Sequence, residues 1–176
     1  MSKTEEQVRT LWKEVFGDSD SFIEHFMSRY YSRENLLFVE DEGTIQSMLH
    51  LIPFHYKDCR IGVVYALATA SASRSKGYAT LLLSRAIERA ASEGYIAIAL
   101  IPAEESLFSY YHRLGFTGKY RVDFLLPDDF DFGIDDKENQ WLTIMPLTDN
   151  NLLPVNEEEI TLAWESTIAI NKNHNS

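Results

Sequence analysis

Residues 65–83, YALATASASRSKGYATLLL, set the reading of this chain. The stretch opens at the end of an apolar run, IGVVYALAT at 61–69, which suits a strand covered on both faces. It closes in a helical pattern, with Ala79, Leu82, Leu83, Ala86, Ile87 and Ala90 on one stripe and Arg85, Glu88 and Arg89 largely opposite. Gly94 is placed to end that helix as a left-handed cap. A strand that enters a helix through a small-residue turn leaves the first helical N–H groups pointing outward, and with the helix dipole they form an anion site. Here Gly77 permits close approach of a bulky anion and Ala79 keeps the first turn narrow, while Arg74 and Lys76 add charge able to pair with phosphate. The bland alternative is a solvated basic turn. Neither a Walker loop nor the dinucleotide G-x-G-x-x-G is present.

On the N-terminal side, Thr4 to Gln7 has the form of a capping box, and Val8, Leu11, Trp12, Val15 and Phe16 follow at helical spacing as far as Gly17. A second such box, Ser21 to Glu24, opens another helix, and the two form a hairpin. NLLFVE, then Asp41-Glu42-Gly43, then TIQSMLHLI reads as strand, tight turn and strand. Pro53 marks a bulge or break in the second of these. On the C-terminal side, YIAIALI is a buried strand stopped by Pro102, and EESLFSYYHRL a shorter helix stopped by Gly115. FTGKYRVDFLL and QWLTIMPL read as the last strands, joined by an exposed acidic loop, Asp128 to Asp136. The expected domain is 1–150, with 151–176 a weakly ordered extension whose EEEITLAW carries a weak helical signal.

The 176 residues allow one domain, and 45% hydrophobic content allows a core. A formal charge of −11 argues against nucleic acid and anionic membrane as partners. The only cysteine, Cys59, excludes an internal disulfide and a cysteine-rich metal site, so no metal is expected. The N-terminus lacks a signal-peptide core and no window approaches the roughly 18 apolar residues of a membrane span, so the expected location is the cytoplasm.

Strand, turn and helix together resemble motif A of the GNAT superfamily of acyl-CoA-dependent N-acyltransferases, whose signature is Arg/Gln-x-x-Gly-x-Gly/Ala. Arg74, Gly77 and Ala79 fall on its defined positions. YIAIALIPAEESLFSYYHRLGF resembles motif B, in which a tyrosine stands four residues before Gly-Phe, here Tyr111 and Gly115-Phe116. The resemblance spans residues 35 to 125, and the LIPAE-x-x-LF-x-x-Y stretch is similar to the bacterial branch of enhanced-intracellular-survival-like acetyltransferases. It implies a mixed, splayed α/β sheet of six to seven strands flanked by about four helices. The family's usual first strand is hardly visible.

The resemblance further implies acetyl-CoA as cosubstrate. Leu67, Ala68 and Thr69 would offer a strand edge to its pantetheine arm, and the amides of Ser75, Lys76, Gly77, Tyr78, Ala79 and Thr80, helped by Arg74, would hold its pyrophosphate. Tyr111 stands at the position of the general acid that protonates the departing thiolate. Glu104 aligns with a position that contacts the cofactor arm, and reads equally as a helix N-terminal charge. His50 and His55 flank Pro53 and read as cleft-facing or as structural residues; a water-relayed base is the default. Cys59 reads as structural or exposed rather than as a nucleophile. The acceptor is expected to be a small-molecule or peptide amine, with a homodimer one expected state. Two functions stand: an N-acetyltransferase, or a noncatalytic acyl-CoA-binding sensor, which would have no use for an acid at Tyr111.

Overall fold

The structure, a computed structural model, describes residues 1–128, 130, 140–149, 152–155 and 158–165. Its elements run α1 (Lys3–Phe16), α2 (Asp20–Arg29), β1 (Leu36–Asp41), β2 (Thr44–Tyr56), β3 (Cys59–Thr69), α3 (Tyr78–Ser92), β4 (Ala97–Leu100), α4 (Phe108–Arg113), β5 (Gly118–Leu125), β6 (Trp141–Pro146) and β7 (Glu159–Trp164). Short 3₁₀ turns at Ser71–Ser73 and Glu105–Leu107 precede α3 and α4. The strands form one mixed sheet in the order β1-β2-β3-β4-β6-β5-β7. Among the described residues, four helices and seven strands match the expected α/β architecture, and no strand precedes α1. The chain divides into two compact units.

The first unit comprises residues 1–52 and 64–89. Gly17 ends α1 in the left-handed conformation, as its position in the sequence implies. The start differs by two residues. Ser2, not Thr4, caps α1, because Ser2 and Glu5 satisfy each other's backbone N–H groups. Likewise Ser19 rather than Ser21 caps α2, accepting the Phe22 N–H. The helices pack as a hairpin through Trp12, whose ring centroid lies 4.7 Å from that of Phe26, and through Arg9–Glu24 and Lys13–Asp20 ion pairs. Glu42 and Gly43, both at positive φ, turn β1 into β2. On α3, Leu82, Leu83, Ala86 and Ala90 are buried, the last of these lying just beyond this unit.

The second unit comprises residues 53–63 and those from Ala90 onward. β4, β6 and β5 pair antiparallel in turn, and β7 runs parallel to β5. β7 also pairs with β2 at Phe54 and His55. This corrects the helical reading of EEEITLAW: residues 159–164 are a strand, with Ile160 and Leu162 fully buried and Glu159 and Thr161 exposed. The period is two, not 3.6. Pro53 needs a second correction, since β2 continues through it without a break. Leu51 donates its N–H to Asn35 O, so the Pro53 nitrogen faces the same edge, after β1 has ended at Leu36↔His50 and before β7 pairs at Phe54. No ladder bond is asked of it there. Of the expected acidic loop, Asp129 and residues 131–136 lie outside the described residues.

Candidate active site

The end of β3 is not regular. Ala66 has φ 50, a left-handed kink that a strand pattern does not announce. Beyond it, Ser47 Oγ donates to Ala68 O at 3.0 Å, so Thr69 Oγ1, 2.8 Å away, donates to Ser47. The Ala70 N–H donates to Gln46 O at 2.8 Å. Ala68 and Ala70 thus direct their backbone groups to β2, and by alternation those of Leu67 and Thr69 point to the strand's other edge. Of the three residues expected to offer an edge, Leu67 and Thr69 direct their backbone groups away from β2 and Ala68 directs its own towards it.

The 3₁₀ turn follows, closed by Ser73 N–H to Ala70 O. Arg74 is extended, and Ser75 and Gly77 are both left-handed, with φ 64 and 79. Such reversals make a concavity of backbone N–H groups. Leu81 N–H donates to Gly77 O, closing the first helical turn, and the amides of Tyr78 and Ala79 precede that bond at the helix start. A Cβ built on Gly77 meets nothing within 4 Å. Glycine is required there by conformation rather than by space. Arg74, Ser75, Lys76, Gly77 and Thr80 are exposed, while Tyr78 and Ala79 are half-buried.

Two residues invisible to sequence reasoning hold this turn. Glu14, on α1, accepts the Ser71 N–H at Oε1, 2.8 Å away. That bond, with the Ser71 hydroxyl and the Arg74 charge, holds the Glu14 carboxyl below the usual carboxylate range. Gln46, on β2, accepts from the Ser73 hydroxyl at 2.5 Å. No local pattern marks either residue, because each contact joins distant parts of the chain.

In the second unit, Tyr111 is half-buried on α4. Its ring stands edge-on to Tyr110 at 5.1 Å and to Phe116 at 6.0 Å. Burial, with Tyr110 beside it, pushes its hydroxyl pKa above the ordinary tyrosine value. Gly115 has φ 104, and a Cβ there would stand 2.8 Å from Met145 Cε. Phe116 is buried. Glu104 lies ahead of the 3₁₀ turn, exposed, with Oε2 accepting from the Ser106 hydroxyl at 3.2 Å.

The remaining candidates occupy other places. His50 is 1% exposed among the rings of Trp12, Phe26 and Tyr31, and burial lowers its pKa to about 4. It is a core residue. His55 meets Glu165 at 3.2 Å, which also pairs with Arg60. Cys59 is half-buried at the start of β3. An open groove of about 440 Å³ beside α4 is lined by Phe108, His112, Arg113 and Lys119 among others, and Tyr111 is not part of it. Among the described residues no cluster of His, Cys, Asp and Glu is arranged to hold a metal ion, and no helix is long and apolar enough to cross a membrane.

The family model for an acetyltransferase (GNAT) domain matches residues 1–118, which include both the turn and Tyr111. The chain belongs to the GNAT acetyltransferase family. No curated protein matches it in sequence. Among solved structures, this GNAT chain is similar to the GNAT family N-acetyltransferase YhbS from Escherichia coli in complex with CoA. The TM-score is 0.62 at 16% identity, covering 96% of this chain and 88% of that one. Tetrahymena GCN5 gives TM-score 0.56 at 13% identity, with 86% and 91% covered. A GNAT from Anabaena variabilis gives 0.54 at 17%, with 69% of this chain matching 31% of that one. Eis1 from Mycobacterium abscessus gives 0.50 at 14%, over 68% and 30%. The chain thus spans under a third of the length of the last two, and at these identities the likeness is one of fold, not of branch.

Proposed function

We propose that this chain is an N-acetyltransferase that passes an acetyl group from acetyl-CoA to a primary amine by direct attack. The observation that carries the reading is the turn at 74–79, left-handed at Ser75 and Gly77 and running into the first turn of α3, in a chain of this family. Backbone N–H groups of a turn that enters a helix suit a pyrophosphate, and Arg74 and Lys76 supply counter-charge. Leu67 and Thr69 direct backbone groups to one edge of β3, as binding the amides of a pantetheine arm requires. Glu104, by contrast, is engaged with its own turn, and contact with the arm is the lesser part of the proposal.

Acetyl-CoA, when bound, supplies an acetyl group activated as a thioester. The neutral acceptor amine attacks the carbonyl carbon; the new C–N bond forms as the C–S bond breaks. Tyr111 gives its phenolic proton to the departing sulfur, and a water-relayed base takes the proton from the amine nitrogen. The Tyr111 hydroxyl, like any tyrosine, is protonated at neutral pH, as a general acid must be, and burial raises its pKa further. The acceptor is a small-molecule or peptide amine.

The test is thiol release from acetyl-CoA across a panel of amines, run beside direct measurement of coenzyme A binding. Turnover on at least one amine supports the enzyme. Tight binding with no turnover on any amine favours an acyl-CoA sensor, and no binding overturns both.

A further inference from the structure

Three hydrogen bonds fasten the chain just ahead of the anion turn, all within the first unit. Glu14 Oε1 accepts the Ser71 N–H at 2.8 Å, Gln46 O accepts the Ala70 N–H at 2.8 Å, and Gln46 Oε1 accepts from the Ser73 hydroxyl at 2.5 Å. Gln46 is itself oriented, since its Nε2 donates to Thr44 O at 3.2 Å. Ser73 is 4% exposed, so its hydroxyl depends on that acceptor. The left-handed Ser75 follows two residues later. A serine in that conformation is strained by about 1–2 kcal/mol and persists only where its surroundings determine it. The fastened segment 70–73 is what the surroundings provide.

Glu14 poses a second question. A carboxylate close to a site for a phosphate repels the ligand unless its charge is already used. Here the charge is used: the carboxylate accepts the Ser71 N–H and feels the Arg74 guanidinium. Its place beside the turn is thus explained by geometry it enforces, not by contact with a ligand.

We propose that Glu14 and Gln46 are positioning residues for the nucleotide end of the cofactor, setting the 70–74 segment so that the amides after it converge on the pyrophosphate. The inference rests on the reading of the turn as a phosphate site. It assigns to α1, a helix outside the family's cofactor motif, a part in cofactor affinity. Because the Glu14–Ser71 and Gln46–Ser73 contacts lie on the phosphate side of the β3 edge, losing either one is specific to ligands that carry the pyrophosphate, while the Gln46 O–Ala70 bond that orients the edge stays in place.

Equilibrium binding of coenzyme A and of pantetheine, which lacks the pyrophosphate, tests this in the full chain. Glu14→Ala is expected to weaken coenzyme A by about tenfold, the scale of one lost hydrogen bond to a charged group. Pantetheine affinity stays at the wild-type value, and Glu14→Gln, which keeps an acceptor for Ser71, restores most of the loss. Ser73→Ala removes one oxygen from the other half of the clamp and gives the same selectivity, which covers the case of a poorly folding Glu14→Ala. Wild-type coenzyme A affinity in both alanine variants, or equal weakening of the two ligands, overturns the inference. Failure of the wild type itself to bind coenzyme A overturns the phosphate reading instead, and the inference with it.

Discussion

Tyr111 and Phe116 are bound twice: their rings meet edge to face at 6.0 Å and 75°, and the Tyr111 carbonyl accepts the Phe116 N–H at 3.0 Å. With Phe116 buried, the phenol ring is held against a fixed wall and its orientation is set by the core. Tyr111→Phe removes only the hydroxyl and keeps this packing. We expect kcat to fall by about a hundredfold, the lower end for loss of a general acid, while KM for acetyl-CoA changes little. Tyr110→Phe, directed elsewhere on the helix, leaves kcat near wild type. Because the Tyr111 pKa is raised, any alkaline loss of rate from its deprotonation sets in at higher pH than it would for an ordinary tyrosine. Steady-state kinetics on the two variants checks the pair; equal effects would remove the assignment.

Gly77 separates binding from folding. Its φ of 79 disfavours any other residue, yet open space surrounds the missing Cβ. Gly77→Val therefore strains the turn without a clash, at a cost of about 1–2 kcal/mol or somewhat more for a β-branched side chain. Calorimetry should show coenzyme A affinity down at least about tenfold, with a cooperative melt retained and Tm lower by only several degrees. A variant that binds normally would show that the turn is not the phosphate site.

What the sequence discloses follows contact range. Apolar periodicity on α3 and the continuous run of β3 are local, and both elements stand where the pattern puts them. Gly17 and Gly94 announce their helix ends for the same reason, both being left-handed. The helical reading of residues 159–164 fails although buried Ile160 and Leu162 alternate with exposed Glu159 and Thr161. A run of glutamates before a short apolar stretch favours helix locally, and pairing with β5 and β2 overrides it. Pro53 stays inside β2 because its edge carries no ladder bond at that point, which only topology reveals. In the candidate site, Tyr111 and Gly77 are marked by spacing, whereas Ala66 is a kink and Glu14 and Gln46 act across the fold. Those three leave no local trace.

Gly115 shows why the tyrosine is followed by a Gly-Phe pair. At φ 104 no L side chain is at ease, and a Cβ would press on Met145 Cε at 2.8 Å. Met145 ends in a flexible thioether and can yield, so the backbone strain is the larger part. Gly115→Ala should cost about 2 kcal/mol in denaturant unfolding. Met145→Ala in the same chain should not recover it. The shift is passed to Phe116 and from there to Tyr111, so kcat falls while coenzyme A affinity is kept.

His50 makes the core sensitive to acid. Its ring is buried among Trp12, Phe26 and Tyr31, and its folded pKa is depressed to about 4 from an ordinary 6.5. The unfolded chain therefore binds a proton in a range where the folded chain does not. Stability is full above pH 6.5, falls as pH drops below it, and levels off near pH 4, for a total of about 3 kcal/mol. Glu14, whose carboxyl is also depressed, loses its contribution lower, as pH falls below its unfolded value of 4.5. The two windows barely overlap. Urea unfolding of the wild type and of His50→Leu between pH 7 and 4 isolates the histidine as the difference in slope. The wild type should lose markedly more stability than the variant from 6.5 to 4.5; parallel curves would mean that His50 takes up its proton without leaving the core.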